Sequence, residues 1–277
     1  MVTVDPEKCV KCGLCISRFA GYCISGDNGK PVIDYAICNQ CQKCIAICPA
    51  QAFLMNNVPP KSIKAIPETA PDVLKEVLRR RRSIKKFKDK KIPESILRDI
   101  AGVAAYAPNQ NKNIDIIIVN DRSLLEAVDQ AALNFFGKIY NLLFSFKPFY
   151  KFIQLFSDSV QTIKKKMEYD LIRNRHILRE NTGAIYLAVG NPHVPVTETS
   201  AQYLLAAMLI YAESLGIGSC LMDSLKLSIK HSRKIRKRLG IMKNQKVLGV
   251  LAVGYADEEI RNEPQGYEIR TFWNSAT

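Results

Sequence analysis

Two cysteine runs constrain what the first fifty residues can fold into more than any other feature of the chain. "CVKCGLCISRFAGYC" (9–23) and "CNQCQKCIAICP" (38–49) each hold three cysteines at Cys-x₂-Cys-x₂-Cys spacing. Cys9, Cys12 and Cys15 recur at one constant offset as Cys38, Cys41 and Cys44. The second run closes with Cys48 and Pro49, whereas the first has Phe19 at the matching position and delays its fourth cysteine to Cys23. An internal repeat of this kind defines a first domain, 1–56. Eight of the nine cysteines stand at or before Cys48, and no apolar run follows the first methionine. No signal peptide is therefore expected, and reduced thiolates in a cytoplasm fit better than disulfides. Cysteines three apart would make strained disulfides. Zinc sites use separated ligand pairs and give no reason for a third cysteine in each loop.

An iron–sulfur cubane needs four thiolates, and a Cys-x₂-Cys-x₂-Cys loop supplies three with backbone N–H groups aimed at the sulfurs. This first domain resembles a bacterial-type two-cluster ferredoxin, in which the fourth cysteine of each run ligates the other cluster. On that logic Cys9, Cys12, Cys15 and Cys48 hold one [4Fe–4S] cluster, and Cys38, Cys41, Cys44 and Cys23 hold the second. A fourth ligand donated across the domain explains how Cys23 can sit four positions late: the crossover lengthens while its own triplet is undisturbed. Cys220, alone in "GIGSC", reads as a small buried apolar residue.

Four of the thirteen prolines lie between Pro59 and Pro71, so residues 57–71 read as an extended, semi-rigid linker. The second domain, 72–277, mixes helix and strand signals. "DVLKEVLRRRR" reads as a helix capped by Asp72, and Pro93 opens "PESILRDIAGVAAYA" from a first helical position. "IDIIIV", "AIYLAV" and "KVLGVLAV" have the β-branched content and length of strands. "SAQYLLAAMLIYAESLG" is apolar nearly all round and ends at Gly216, as a buried helix does. "SIKHSRKIRKRLG" reads as one helix with a very basic face. Strands and helices without a strict βαβ rhythm predict an α+β fold with a central sheet.

Within this domain an insertion at about 131–160 stands apart. Residues 131–156 hold seven of the eleven phenylalanines, with Lys138, Lys147 and Lys151 between them. Three accounts fit: a helical pair burying aromatics against the core or a second subunit, a lid over a flat aromatic ligand, and contact with a membrane surface. No stretch of 18 residues is free of charge, so no transmembrane segment is expected. The net charge of +14 suits either an anionic partner or a well-solvated surface.

G-x-G-x-x-G after a strand and G-x-x-x-x-G-K-[ST] are both missing, which removes the common dinucleotide and P-loop readings. The three histidines, His176, His193 and His231, have no metal-ligand spacing. In "RRRSIKKF" (80–87), however, Arg81, Ser83 and Lys85 alternate, so an extended chain would point two cations and a hydroxyl one way, as a phosphate requires. "YAPNQNKN" (106–113) then offers amides that both donate and accept, as a flavin edge requires.

Together these segments resemble the nitroreductase family of FMN enzymes. The resemblance covers 72 to about 272 and rests on Arg81-x-Ser83-x-Lys85-x-Phe87, on the loop Ala107, Pro108, Asn109, Asn111, Asn113, on Leu215-Gly216-Ile217-Gly218, and on Gly254-Tyr255. The whole chain resembles the ferredoxin-fused branch of that family. The sequence departs from the family pattern in three places. The Asn loop is one residue short and runs into Asn113-Ile114-Asp115 rather than Gln-Pro-Trp. The second basic position is lysine, and the stretch after Gly254 is acidic.

The resemblance implies a nitroreductase-like α+β fold and an extensive homodimer with FMN at the interface. Arg81, Ser83 and Lys85 would bind the FMN phosphate and ribityl chain, and Asn109, Asn111 and Asn113 would reach the flavin of the partner subunit. Leu221, Met222 and Asp223 would lie along the ring, and Arg270 would close on the phosphate. The implied enzyme is a cytoplasmic FMN- and iron–sulfur-dependent oxidoreductase with its chemistry at the flavin and no catalytic side chain. The expected substrate is a flat electron-poor molecule, a nitroaromatic, quinone or enone, and the donor a reduced ferredoxin or NAD(P)H. The alternatives are substrate oxidation that drains electrons through the clusters and, in another class, a redox-sensing nucleic-acid binder using "KHSRKIRKRLG". That basic stretch has no interleaved aromatics, so a nucleic-acid partner is not expected.

Overall fold

The computed structural model describes residues 1–19, 22–108, 113–144, 159–265 and 269–273. Asn109, Asn111 and the part of the aromatic insertion at 145–158 therefore lie outside the described residues.

In the first domain the cysteine repeat is also a repeat of backbone shape. Left-handed φ values at Lys11, Gly13 and Asn28 recur, at the offset of the cysteines, at Gln40, Gln42 and Asn57. Asp5 and Asp34 occupy equivalent places: their carbonyls accept from Cys9 N (3.2 Å) and Cys38 N (3.1 Å), and their carboxylates accept from Glu7 N and Ala36 N. Each triplet runs into a short helix, Leu14–Phe19 or Lys43–Ile47. Strand β1 (Val2–Val4) pairs antiparallel with β4 (Phe53–Met55), and β2 (Ile24–Asp27) with β3 (Lys30–Ile33). Asn28 and Gly29, both at positive φ, close that hairpin with the two-residue turn that matches strand twist. The core is small: Val2, Cys15, Ile24, Cys44 and Phe53.

The second domain is built on an antiparallel sheet of order β5-β6-β8-β7, namely β5 (Ile114–Val119), β6 (Ala184–Gly190), β7 (Gly218–Leu221) and β8 (Lys246–Gly254). Every residue of β6 is buried, because helices cover both faces. The period of two sorts its side chains: Ile185, Leu187 and Val189 meet Leu125, Val128, Ala132, Leu225 and Ile229 on one face. Tyr186 and Ala188 meet Ala201, Leu204, Leu205 and Met208 on the other. The first set comes from helices Arg122–Phe144 and Asp223–His231, the second from helix Thr197–Ser214. The sequence marks β5 to the residue and β6 and β8 to within their final glycine. It does not mark β7, whose "GSCL" has no β-branched run.

Several expectations are corrected at helix ends. The helix expected to be capped by Asp72 starts earlier, as Ala70–Arg80, so Asp72 lies in its first turn and Thr69 precedes it. The linker is shorter by the same amount. Pro93 is the residue before helix Glu94–Gly102 rather than its first. The expected basic helix is two helices, Asp223–His231 and Arg233–Arg238, broken at Ser232. There Ser232 takes an extended conformation and its Oγ accepts from Ile235 N (3.3 Å), a side-chain cap that starts a new helix. Helix Thr197–Ser214 does end as expected, with Gly216 at φ 69°.

The aromatic insertion opens as the last turns of helix Arg122–Phe144. Phe136 packs against the core there, and Tyr140 donates to Glu168 Oε1 (2.7 Å) of helix Ser159–Glu168. For 131–144, then, the aromatics serve helix-to-core and helix-to-helix packing. Among the described residues no helix is long and apolar enough to cross a membrane.

The segment 83–88 is seated on the sheet by two glycines. A Cβ on Gly254 would stand 2.6 Å from the Phe87 ring, and one on Gly218 would stand 2.7 Å from Ile84 Cγ1. Phe87 and Ile84 fill those spaces and are 0% and 2% exposed. Gly254→Ala therefore overpacks a rigid ring and should destabilise the domain by about 1–3 kcal/mol. A urea unfolding midpoint equal to that of the native chain would refute this account.

Candidate functional site

The basic segment leaves helix Ala70–Arg80 at Arg81, whose N–H still donates to Val77 O (3.0 Å). Beyond it the backbone is stitched down by Ile84 N to Ser219 O (3.0 Å), Phe87 N to Glu180 O (3.1 Å) and Lys88 N to Tyr255 O (2.8 Å). Ile84 and Phe87 turn inward while Ser83 and Lys85 are exposed and Arg81 is half-buried. Ser83 and Lys85 flank Ile84 as a strand's period of two requires, and the period breaks at Lys86, also exposed, so that Phe87 can dock. Ser83 runs parallel beside Ser219, two residues before Leu221. The cradle thus leads along the sheet edge to Leu221, which is exposed, and Met222, which is buried and donates from its N to Val250 O (2.8 Å). Asp223 follows as the exposed first residue of helix Asp223–His231.

The acidic stretch after Gly254, a departure from the family pattern in the sequence, proves to be part of this region. Glu258 Oε1 accepts from Lys85 N (3.1 Å). Glu263 pairs with Arg79 (2.8 Å) and Asp257 with Lys86 (3.5 Å). These contacts occupy Arg79 and Lys86. Neither Arg81 nor Lys85 has an ion-pair partner among the described residues. Nearby, burial holds the carboxyl of Glu213 above its usual range, against the opposing charge of Arg80, Arg81 and Arg82. Burial also raises Asp170, against Arg179, Lys166 and Lys85. Arg179 Nε is buried without a partner. Sequence reasoning missed Asp170, Arg179, Glu258 and Glu263. The acidic run marks Glu258 and Glu263 as charged but does not say which groups they meet.

The remaining candidates lie elsewhere. Asn113 donates from Nδ2 to Thr197 Oγ1 (2.6 Å), and that hydroxyl donates to Val194 O (2.7 Å). Asn113 Oδ1 is buried and has no hydrogen-bond partner among the described residues. Asn113 precedes Ile114, which faces Gly190 at the end of β6, whereas Ala184 at the start of β6 faces Val253, close to where Phe87 docks. Seven residues of strand at about 3.3 Å each put these two ends roughly 20 Å apart. One chain does not bring Asn113 to its own cradle. Arg270 is exposed, and no hydrogen bond or ion pair ties it to the cradle among the described residues.

In the first domain the thiols fall into two electrostatic neighbourhoods. Burial raises Cys15, and the charges of Cys12 and Cys48 add to that. Burial pushes Cys44 up to about 11, with Cys41, Cys38 and Cys23 adding; Cys23 is raised by burial and then by Cys38 and Cys41. All nine cysteines are free. Among the described residues no three His, Cys, Asp or Glu side chains form a group able to hold a single metal ion. The left-handed residues on either side of Cys12 and Cys41 make turns of the kind whose successive N–H groups form anion-binding nests.

The chain matches the sequence profile of the nitroreductase family over residues 78–255 and belongs to that family. The matched stretch contains the cradle and the whole sheet; the cysteine-rich domain lies outside it. A comparison with curated protein sequences returns no match. Among solved structures, a nitroreductase with bound FMN from Bacteroides fragilis is 20% identical with a TM-score of 0.56, covering 73% of this chain and 98% of that one. One with bound FMN from Desulfitobacterium hafniense is 16% identical with a TM-score of 0.56, covering 71% and 94%. An iodotyrosine deiodinase bound to FMN and 3-iodo-L-tyrosine is 17% identical with a TM-score of 0.52, covering 73% and 99%. At these identities the likeness is one of fold.

Glu258 is the side chain that fixes the Lys85 backbone. In Glu258→Ala the Lys85 amide should exchange with deuterium at least tenfold faster while that of Ile84, bonded to Ser219, keeps its protection. Unchanged exchange at Lys85 would show that the carboxylate holds nothing there.

Proposed function

We propose that this protein is a cytoplasmic FMN-dependent oxidoreductase whose first domain carries two [4Fe–4S] clusters. Its substrate would be a flat electron-poor organic molecule, a nitroaromatic, quinone or enone, and its donor a reduced ferredoxin or NAD(P)H. The observation that carries the reading is the run of Arg81, Ser83 and Lys85 along the edge of β7 into Leu221–Asp223, on the fold of a family with FMN-bound structures. When bound, FMN supplies one-electron and hydride chemistry, and the clusters supply one-electron transfer.

The residues fit these groups. Arg81 and Lys85 are cations without ion pairs among the described residues, and with the Ser83 hydroxyl they suit a phosphate. Asn113 keeps a buried acceptor unpaired, and a buried acceptor without a donor costs about 1–3 kcal/mol until one arrives. Since Asn113 stands at the wrong end of its own sheet, its donor would belong to a second copy. The surface supports such a copy: helix Ala70–Arg80 has no buried residue, and Val73, Leu74, Leu78, Tyr106 and Tyr203 are exposed large side chains. Exposed apolar side chains of this size support a surface that a second copy would cover. The homodimer would hold two sites, each with a cradle from one chain and the Asn113 loop from the other. No side chain is assigned as an acid, and the substrate proton would come from water.

Cys9, Cys12, Cys15 and Cys48 would hold one cluster, and Cys38, Cys41, Cys44 and Cys23 the other. In a cubane each thiolate binds its own iron, so its ligands surround the cluster and do not converge on one ion. The two thiol neighbourhoods and the repeated loops support this assignment.

Anaerobically purified protein should carry about eight irons and one FMN per chain, the count expected from two cubanes and one flavin site. Arg81→Ala should weaken FMN binding about 10- to 100-fold, the loss expected for a hydrogen bond to a charged group. Cys38→Ser should lower iron without lowering flavin. Iron without flavin would remove the enzyme assignment, and zinc in place of iron would remove the cluster assignment.

A further inference from the structure

A cleft of about 380 Å³ separates helix Arg122–Phe144 from the pair Asp223–His231 and Arg233–Arg238. None of its lining residues belongs to the cradle or to the cysteine loops. It opens near the C-terminal end of helix Asp223–His231, about 13 Å along nine residues at 1.5 Å each from Asp223 at the flavin segment. Its volume lies in the lower part of the small-molecule range, so the occupant it fits is compact.

The chemistry of the walls is one-sided. Lys138, Lys234, Arg238 and His231 line the cleft, and among the described residues no carboxylate does. Elsewhere on the surface many cations are matched: Arg79 with Glu263, Arg122 with Glu126, Lys226 with Glu198, Arg261 with Glu259. Lys138, Lys234 and Arg238 have no ion-pair partner among the described residues. Arg238 is felt by Asp121, but that carboxylate is held first by the Ser123 hydroxyl and Leu124 N–H. Like charges around one concavity raise each other's energy, and low-dielectric walls focus their field on whatever enters.

The rest of the lining adds shape. Phe135 stacks on His231, with ring centroids 4.9 Å apart and planes 17° apart. His231 Nδ1 lies 2.8 Å from Leu227 O; a carbonyl can only accept, so Nδ1 carries the proton and Nε2 is left for another partner. Ala127, Ala131 and Ile235 supply apolar wall beside the Phe135 ring.

We propose that this cleft is a binding site, separate from the flavin cradle, for a phosphate monoester with a short apolar tail. A monoester carries a charge of about −1.5 to −2 near neutral pH, which suits three cations better than the single charge of a carboxylate would. Its tail would lie on Phe135 and Ile235. A soluble phosphate ester and the exposed headgroup of a phosphatidic-acid-type lipid share this chemistry.

The test uses the protein as purified, freed of unbound flavin, with hexyl phosphate as the probe in isothermal titration. Saturable binding is expected, at least tenfold tighter than 1-hexanol or inorganic phosphate. The double variant Lys138→Glu/Lys234→Glu should lose at least tenfold of it, and Lys138→Gln/Lys234→Gln, the milder pair should the first misfold, should lose part. Hexyl phosphate binding no tighter than inorganic phosphate, or either folded variant binding like the native chain, overturns the proposal. Flotation with phosphatidic acid vesicles but not phosphatidylcholine vesicles, lost in the variants, assigns the lipid source. Titration binding without flotation assigns the soluble ester.

Discussion

The second domain depends on two places where a sheet has no side chain. At Gly218 and Gly254 the surface of the sheet is open to the depth of a Cβ, and Ile84 and Phe87 occupy that depth. Four backbone hydrogen bonds then fix the segment between them, among them Asp257 N to Lys86 O (3.1 Å). The direction of Arg81, Ser83 and Lys85 follows as a consequence. A basic stretch with no such anchoring would be an ordinary solvated helix end. The acidic stretch completes the arrangement by engaging Arg79, Lys86 and the Lys85 amide, while Arg81 and Lys85 have no ion pair among the described residues.

The cysteine domain solves a different problem. A unit of about 56 residues whose core cluster has five buried side chains, two of them cysteines, is at the edge of what a hydrophobic core can hold together. It also places Lys11, Gln40, Gln42 and other non-glycine residues in left-handed backbone, at a cost of about 1–2 kcal/mol each. Such strain is characteristic of ligand-clamping loops. Repetition of the same strained positions in both halves argues that the loop shape, rather than local propensity, is what the sequence maintains. Clusters bridging the two halves would act as the staple that so small a core lacks.

Much of the fold was legible because it rests on periodicity. β5, β6 and β8 announce themselves as apolar runs, and helix Thr197–Ser214 is apolar nearly all round, burying Ala201, Leu204, Leu205 and Met208 against the sheet while Gln202, Tyr203 and Ala206 stay exposed. β7 was not legible, since a strand of Gly, Ser, Cys and Leu owes its pairing to β8 rather than to its own composition. The break at Ser232 was missed because a capping hydroxyl is one residue in a strongly helical stretch. At the site, the cysteine triplets and the alternation of Arg81, Ser83 and Lys85 were local patterns and could be read directly. The contacts of Glu258 and Glu263 join residues more than 170 positions apart, and no local pattern carries such information. That Asn113 stands far from its own cradle was also invisible without the sheet register.

That last separation has a consequence for how the protein would behave in a cell. If, as proposed, each site takes its cradle from one chain and Asn113 from the other, a folded single chain would hold two unmatched halves of a site. Output would then scale with the square of chain concentration when the protein is scarce, and linearly once it is abundant. A mixed pair of chains, one damaged in the cradle and one in the loop, would still assemble one intact site out of two. Two separately defective alleles could thus restore part of each other's function when expressed together.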